Sequence, residues 1–388
     1  MTRSRAPVVF LTRHYPPNPN INGEAVCDLV EYLEREHGLS SAVVCMGRSF
    51  AGGGGRRRPA GQVRRLWTPY EGSRTWPRLL TMVYDGLALV LCAWRYRPRW
   101  VVCTTSPPLL PLWAAWLLPP GTRRLLWAFD LFPEGFYATN WIDSRNILYR
   151  LALWATYRKA PYGLIVLGPQ QGAHLRKAYR NDRLPTWLLP CGVFFHALKR
   201  PEVPPAWYAA DKIVLGYCGN LGDPHNPDFV RAVIDHLDPQ RHVLVLALYG
   251  RHAQAVRTYA QGKAGVVLLE HVPREQLAFV DVHLVSLRSS WTHIAVPSKA
   301  VSAVATGGAV LFCGDARSDN WYLLQEAGWL IEENEYLEQQ VALFLRHLTR
   351  QEVERKKAAA RGIYRQLQAA VRRTYERLAR LFRDETGR

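Results

Sequence analysis

Short apolar runs alternate with longer amphipathic stretches along the whole 388-residue chain. Runs rich in Val, Leu, Ile and Phe read as buried strands. Stretches with apolar positions three or four apart read as helices. On this pattern strands are predicted at 8–12, 41–46, 64–68, 100–105, 124–129, 162–167 and 187–189. Helices fall between them at 24–37, 76–96, 107–118, 144–159 and 170–179. A Pro-rich segment at 199–208, with Pro201, Pro204 and Pro205, interrupts the alternation. It restarts with strands at 212–217, 241–248, 266–269, 282–287 and 309–312. The helices there are 227–236, 253–261 and a short one opening at Pro297-Ser298-Lys299 and stopped by Gly307-Gly308. Segment 335–384 reads as helical from its charge pairing, and the Gly- and Arg-rich stretch 52–58 as a loop.

Two strand–helix arrays joined by a linker predict an α/β protein with two Rossmann-like doubly wound parallel-sheet domains. The expected division is 1–200, 201–350 and a basic C-terminal helix at 351–388. Whether that last helix packs back on the first domain is left open by the pattern.

Charge changes the picture next. Residues 1–200 carry 27 Lys+Arg against 11 Asp+Glu, most of the net +18. The first half therefore points to an anionic partner, a membrane surface, nucleic acid or a phosphorylated acceptor, unless the charge only keeps the protein soluble. No nucleic-acid-binding motif accompanies the charge, so nucleic acid is the weakest of the three. The apolar stretches 87–94 and 109–120 are too short to cross a bilayer. Trp and Arg interleave around them, at Trp67, Trp76, Arg78, Arg95, Trp113 and Trp116. That composition suits either core helices or a patch lying on a membrane. The seven cysteines are scattered with no metal-ligand spacing, as expected of reduced thiols in a cytosolic protein. A signal peptide is not visible before the first strand.

Candidate chemistry sits at strand-to-helix turns, where ligands of such sheets bind. Pro297-Ser298-Lys299 opens a helix, so unpaired amides, a positive dipole end, a hydroxyl and an ammonium form an anion site. Gly219-Asn220-Leu221-Gly222 follows a strand and lets backbone amides approach phosphate. Arg251 and Arg288 stand at other strand ends as candidate phosphate cations. Asp319 could line the same cleft. In the first half, His14 precedes Asn22-Gly23-Glu24 at the first helix, a candidate acceptor side. Asp130 and Glu134 follow a strand and could orient a sugar hydroxyl or act as a base; equally, either could simply cap a helix.

Together these segments resemble the GT-B glycosyltransferases of the large retaining family 4, in particular bacterial members that build cell-surface polysaccharide. The matching pieces are Pro16-Pro17…Gly23, Thr105-Ser106-Pro107-Pro108, Asp130-Leu131-Phe132-Pro133-Glu134, Gly219-Asn220-Leu221-Gly222 and Pro297-Ser298-Lys299…Ala305-Thr306-Gly307-Gly308. The resemblance implies a UDP- or GDP-linked sugar donor in the second domain and a glycan or lipid-linked acceptor in the first. It implies no metal and no cofactor. Gly219, Asn220, Gly222, Ser298 and Lys299 would hold the donor diphosphate, while Asp130 and Glu134 would face the acceptor. The expected placement is cytoplasmic, from the scattered cysteines, with the Trp and Arg composition leaving peripheral contact with the inner face of the membrane open. The family's paired glutamates fall here at Ile294 and Ser302, neither acidic, so Ser302 would make a weaker ribose contact. This departure motivates two alternatives: a GT-B protein that binds nucleotide-sugars with impaired catalysis, or a sugar-nucleotide epimerase using Asp315 or Asp319.

Overall fold

The two arrays fold into two separate sheets, each parallel throughout. The computed structural model describes residues 6–48, 57–72, 74–193 and 200–384. Most of the 52–58 loop, and the first residue of the 199–208 linker, lie outside these residues.

The first sheet contains β1 (Val8–Leu11), β2 (Ser41–Met46), β3 (Gln62–Leu66), β4 (Trp100–Thr104), β5 (Arg123–Trp127), β6 (Gly163–Val166) and β7 (Thr186–Leu188). Their order is β3-β2-β1-β4-β5-β6-β7. β1 pairs on both sides, Val8 lying opposite Ser41 and Trp100. Helices cover both faces of a parallel sheet, so its central strands are continuous apolar runs. β1, β2 and β4 are accordingly buried at every position, whereas the edge strand β3 exposes Gln62, Arg64 and Arg65. The helices are α1 (Ile21–His37), α2 (Thr75–Ala93), α3 (Leu110–Leu117), α4 (Glu134–Ala138), α5 (Ile147–Tyr157) and α6 (Pro169–Ala178).

The second sheet contains β8 (Ile213–Asn220), β9 (His242–Tyr249), β10 (Val266–Leu268), β11 (Val282–Ser286), β12 (Ala309–Gly314) and β13 (Gly328–Glu332), in the order β10-β9-β8-β11-β12-β13. Its helices are α7 (Pro227–Asp235), α8 (Ala253–Ala260), α9 (Ser298–Ala305), α10 (Asp319–Leu324) and α11 (Leu337–His347). The last helix, α12 (Arg350–Asp384), begins with this unit.

The chain divides at Cys191/Gly192, ahead of the Pro-rich linker, and Gly192–Ala369 forms the second unit. The described residues from Ala370 to Asp384 belong to the first unit. Side chains explain this: Thr374 Oγ1 donates to the Leu188 carbonyl at 2.8 Å, Tyr375 packs 5.1 Å from Tyr32, and Phe382 lies edge-on 5.5 Å from Trp100.

Several local expectations are corrected. α1 starts at Ile21, because the Asn20 side chain accepts from the amides of Asn22 and Gly23 at 3.0 and 3.2 Å. Asn22, Gly23 and Glu24 are therefore its first turn, not a loop. β8 runs on to Asn220, so Gly219 and Asn220 end a strand. The helical segment 335–384 is two helices, broken at Leu348 and Thr349. β13, α4 and α10 are elements that the pattern did not predict. All seven cysteines are unpaired, six buried and Cys218 half-buried.

Candidate functional site

In the second sheet β8 and β11 are neighbours, yet the chain leaves them in opposite directions, toward β9 and toward β12. Such a reversal opens a crevice at the C-terminal ends of the strands. The residues at this place are the end of β8, the turn after β11 and the start of α9. Lys299 occupies its centre. Its Nζ donates to Tyr217 Oη at 3.1 Å, to the Asn220 carbonyl and to His225 Nε2 at 3.1 Å, and it lies 4.7 Å from the Tyr217 ring centroid. Every one of these partners is uncharged. Loss of solvation lowers the ammonium to about 7.

The state of His225 follows from its partners. Nδ1 faces the Ser286 carbonyl at 2.6 Å, and a carbonyl can only accept. Nδ1 therefore carries the proton and Nε2 offers its lone pair to Lys299. Burial, then Lys299 itself, holds the imidazole well below its ordinary range, so it is neutral. Tyr217, the Asn220 carbonyl and His225 thus accept hydrogen bonds from the ammonium without cancelling its charge.

Two glycines shape the backbone here. At Gly250 φ is +102° and a Cβ would stand 2.1 Å from Asn220 Oδ1. At Gly219 φ is +137°, and a Cβ would touch the Lys299 stem at 3.1 Å. Asn220 is seated between Gly250 and Gly222, whose Cβ would lie 3.1 Å from the same Oδ1. The first turn of α9 completes the arrangement. Pro297 is the N-cap, not a first-turn residue, and supplies no side-chain acceptor. The amides of Ser298 and Lys299 thus have no intrahelical acceptor. The Ala300 amide bonds the Pro297 carbonyl at 3.3 Å.

Around this centre the other predicted residues take different roles. Arg288 Nε donates to the His225 carbonyl at 3.2 Å and lies 4.0 Å from Glu333. Arg251 is largely exposed and pairs with Asp223 at 2.8 Å. Ser302 is one turn into α9 and half-buried, and Ile294 is buried. Asp319 is buried in the first turn of α10, behind the Ser318 cap. Asp315 is bound by Arg317 at 2.6 Å. Among the described residues no group of three His, Cys, Asp or Glu is placed to hold a metal ion.

Glu333 was missed. Its Oε1 accepts from Asn226 Nδ2 at 2.8 Å, and its Oε2 accepts from the Ser289 amide. Asn226 in turn caps α7 and donates its own amide to Ser286 Oγ at 3.0 Å. The signal that marks Glu333 is its place directly after β13, a strand the pattern did not reveal. Tyr217, in the apolar run of β8, carried no signal at all.

In the first unit the candidates are more dispersed. His14 is half-buried, and loss of solvation, then Arg13 and Arg48, pushes it down to about 3, so it is neutral. A Cβ at Gly23 would stand 2.6 Å from the His14 carbonyl, so this glycine serves the packing of α1 on the β1 loop. Asn22 lies in the capped first turn, and Glu24 is buried with its amide on the Asn20 carbonyl. Asp130 is exposed at the loop tip. Partial loss of solvation beside the protein pushes its carboxyl above the usual carboxylate range, to about 6. Glu134 is buried at the start of α4, accepts from Tyr157 Oη and lies 3.9 Å from His174. Asp130 is therefore presented to solvent and Glu134 is engaged within the unit.

No protein-family model and no curated protein matches this chain. Solved structures do. A sucrose-phosphate synthase from Thermosynechococcus elongatus aligns with a TM-score of 0.71 at 16% identity, covering 99% of this chain and 100% of that one. WaaG, a glycosyltransferase involved in lipopolysaccharide biosynthesis, aligns at 0.68 and 16% identity, covering 97% and 99%. Anabaena HepE, solved in complex with UDP and glucose, aligns at 0.60 and 15% identity, covering 96% and 99%. At such identity the likeness speaks for the fold: this chain has the two-sheet GT-B architecture of these glycosyltransferase structures.

Proposed function

We propose that this protein is a glycosyltransferase that moves a sugar from a nucleotide-sugar donor to an acceptor. The observation that carries the reading is Lys299: a half-buried cation with only neutral partners, at the open start of α9 and the switch point of the second sheet. A donor diphosphate would supply the missing negative charge, and bond cleavage would concentrate more of it there. Arg288 and the Ser298 and Lys299 amides would share that charge. HepE's complex with UDP and glucose supports a donor of this class. Asp130 is assigned to the acceptor, orienting or deprotonating its hydroxyl. The finer parts of the proposal are a UDP- or GDP-linked sugar, metal-independent transfer with retention, a lipid-linked or polysaccharide-precursor acceptor, and work at the cytoplasmic face of a membrane.

A thermal-shift screen with UDP, GDP, ADP and their sugars tests the donor assignment, because a ligand that binds the folded state raises its melting temperature. One nucleotide should stabilise the protein, and Lys299→Ala should lose that response while keeping the fold. No response to any nucleotide would overturn it. The second reading, binding with impaired catalysis, is favoured by Ile294 and Ser302 where the resembling family has glutamates. Donor hydrolysis or transfer by a nucleotide-stabilised protein would exclude it.

A further inference from the structure

α2, α3 and α5 pack as one layer on the first unit. The Trp94 indole N–H, just beyond α2, donates to the Leu117 carbonyl at 2.8 Å. The Trp116 indole donates to the Ala155 carbonyl at 2.8 Å, and the Trp116 and Trp154 rings stand 6.0 Å apart. The inner side of α2 is core, with Met82, Leu89, Val90 and Ala93 buried. Its outer side repeats apolar residues at three- and four-residue steps: Trp76, Leu80, Val83, Leu87, Leu91 and Trp94. All but Leu87 are exposed, Trp76 by 77% and Leu80 by 70%. On α5 a second such row, Ile147, Leu148, Leu151 and Trp154, is exposed by 79%, 69%, 57% and 53%. Soluble proteins rarely leave so much contiguous apolar surface without a partner.

Charge selects the partner. Exposed Arg74, Arg78, Arg95 and Arg97 flank the α2 row, and exposed Arg145, Arg150, Arg158 and Lys159 flank the α5 row. Against them, the exposed acids of these segments are Glu71 and Asp143; Asp85 is buried and paired with Arg13 at 2.9 Å. A second copy would bring this cationic face against itself and repel. An anionic bilayer offers both complements at once, headgroups for the cations and acyl chains for the apolar rows. The helix Trp76–Tyr96 is long and apolar enough to cross a membrane. Its buried inner face and the Asp85 pair instead fix it flat.

We propose that the outer face of α2, α3 and α5 docks the protein on an anionic lipid bilayer, with Trp76, Leu80, Ile147 and Leu148 entering the interface. This names the surface behind the membrane placement proposed above, and it does not depend on the donor assignment.

The test is co-sedimentation of the full chain with phosphatidylcholine vesicles, with and without phosphatidylglycerol. Binding is expected only with phosphatidylglycerol, and to weaken as salt rises. Leu80→Ser combined with Leu148→Ser should weaken it by ~100-fold, since two apolar side chains lose their burial. Arg150→Glu with Arg158→Glu should weaken it and flatten the salt dependence. Because the four positions are exposed, melting temperature and nucleotide response should be unchanged in both variants. Vesicle binding and nucleotide response thus fail separately. Absent binding at low salt, equal binding by the serine variant, or a lipid-free dimer abolished by the same serines would overturn the proposal, the last in favour of a second copy.

Discussion

Each unit holds a cation near the switch point of its sheet, and the two are treated oppositely. Arg13, after β1, is bound by Asp85 through Nε at 3.0 Å and Nη2 at 2.9 Å, with Thr68 holding the other carboxylate oxygen at 2.8 Å. Burial and then Arg48 lower the Arg13 guanidinium only to about 10, so it stays charged at neutral pH. Lys299 has a hydroxyl, a carbonyl and an imidazole instead, and falls to about 7. The first arrangement is closed within the protein and ties α2 to β1. The second is unfinished without an anion. A buried charge left without its opposite is costly, and a ligand that supplies the opposite recovers that cost on binding.

Removing the internal partner should do the most damage. Asp85→Ala leaves Arg13 and Arg48 without a carboxylate and should destabilise the fold by about 3–5 kcal/mol, seen as a lower urea midpoint. The matching change in the second unit should spare stability and remove function: Lys299→Ala should lower transfer by about 10²–10³-fold with the urea midpoint preserved. A folded Lys299→Ala protein with normal turnover would sink the comparison.

The pH response is smaller and has a definite sign. On the proposed donor assignment Lys299 is protonated in the donor complex, whereas its unbound form loses the proton near 7. Donor affinity should therefore be constant below about 7 and fall about tenfold per unit above it, read by calorimetry with a nucleotide-sugar. The same affinity in Lys299→Arg, if it binds, should be flat over this range, because a guanidinium stays charged.

The smallest effect is on stability. Lys299 titrates near 7 folded and near its ordinary higher value unfolded, so the unfolded state binds more protons between the two and stability rises with pH there. Below 7 both states are protonated and the burial penalty is fully present. Lys299→Met should thus melt slightly higher than the parent at pH 6 without nucleotide. A lower melting temperature would show that the ammonium's neutral partners already satisfy it.

The readable parts of the site were those held by a short stretch of chain. Pro297-Ser298-Lys299 announces a helix start whatever surrounds it, and Lys299 does stand at the second sheet's switch point. Gly219 and Gly222 were legible as a turn at a strand end, although Gly219 proved to serve the Lys299 stem and both flank Asn220. Glu134 and Glu333 show the limit. Both are acids beside a strand end; only the fold ties one to Tyr157 and sets the other against Asn226, Ser289 and Arg288.

The sequence by itself determined the alternation of strands and helices, the presence of two arrays and the basic character of the first, because periodicity, turn residues and charge are local properties. Tertiary structure alone decided the strand order and hence the two switch points. It also decided the neutral state of His225, the uncharged partners of Lys299, and which apolar row of α2 faces outward. These depend on residues far apart in the chain, 74 positions for His225 and Lys299, and burial, which sets the cost of each charge, exists only once such residues meet.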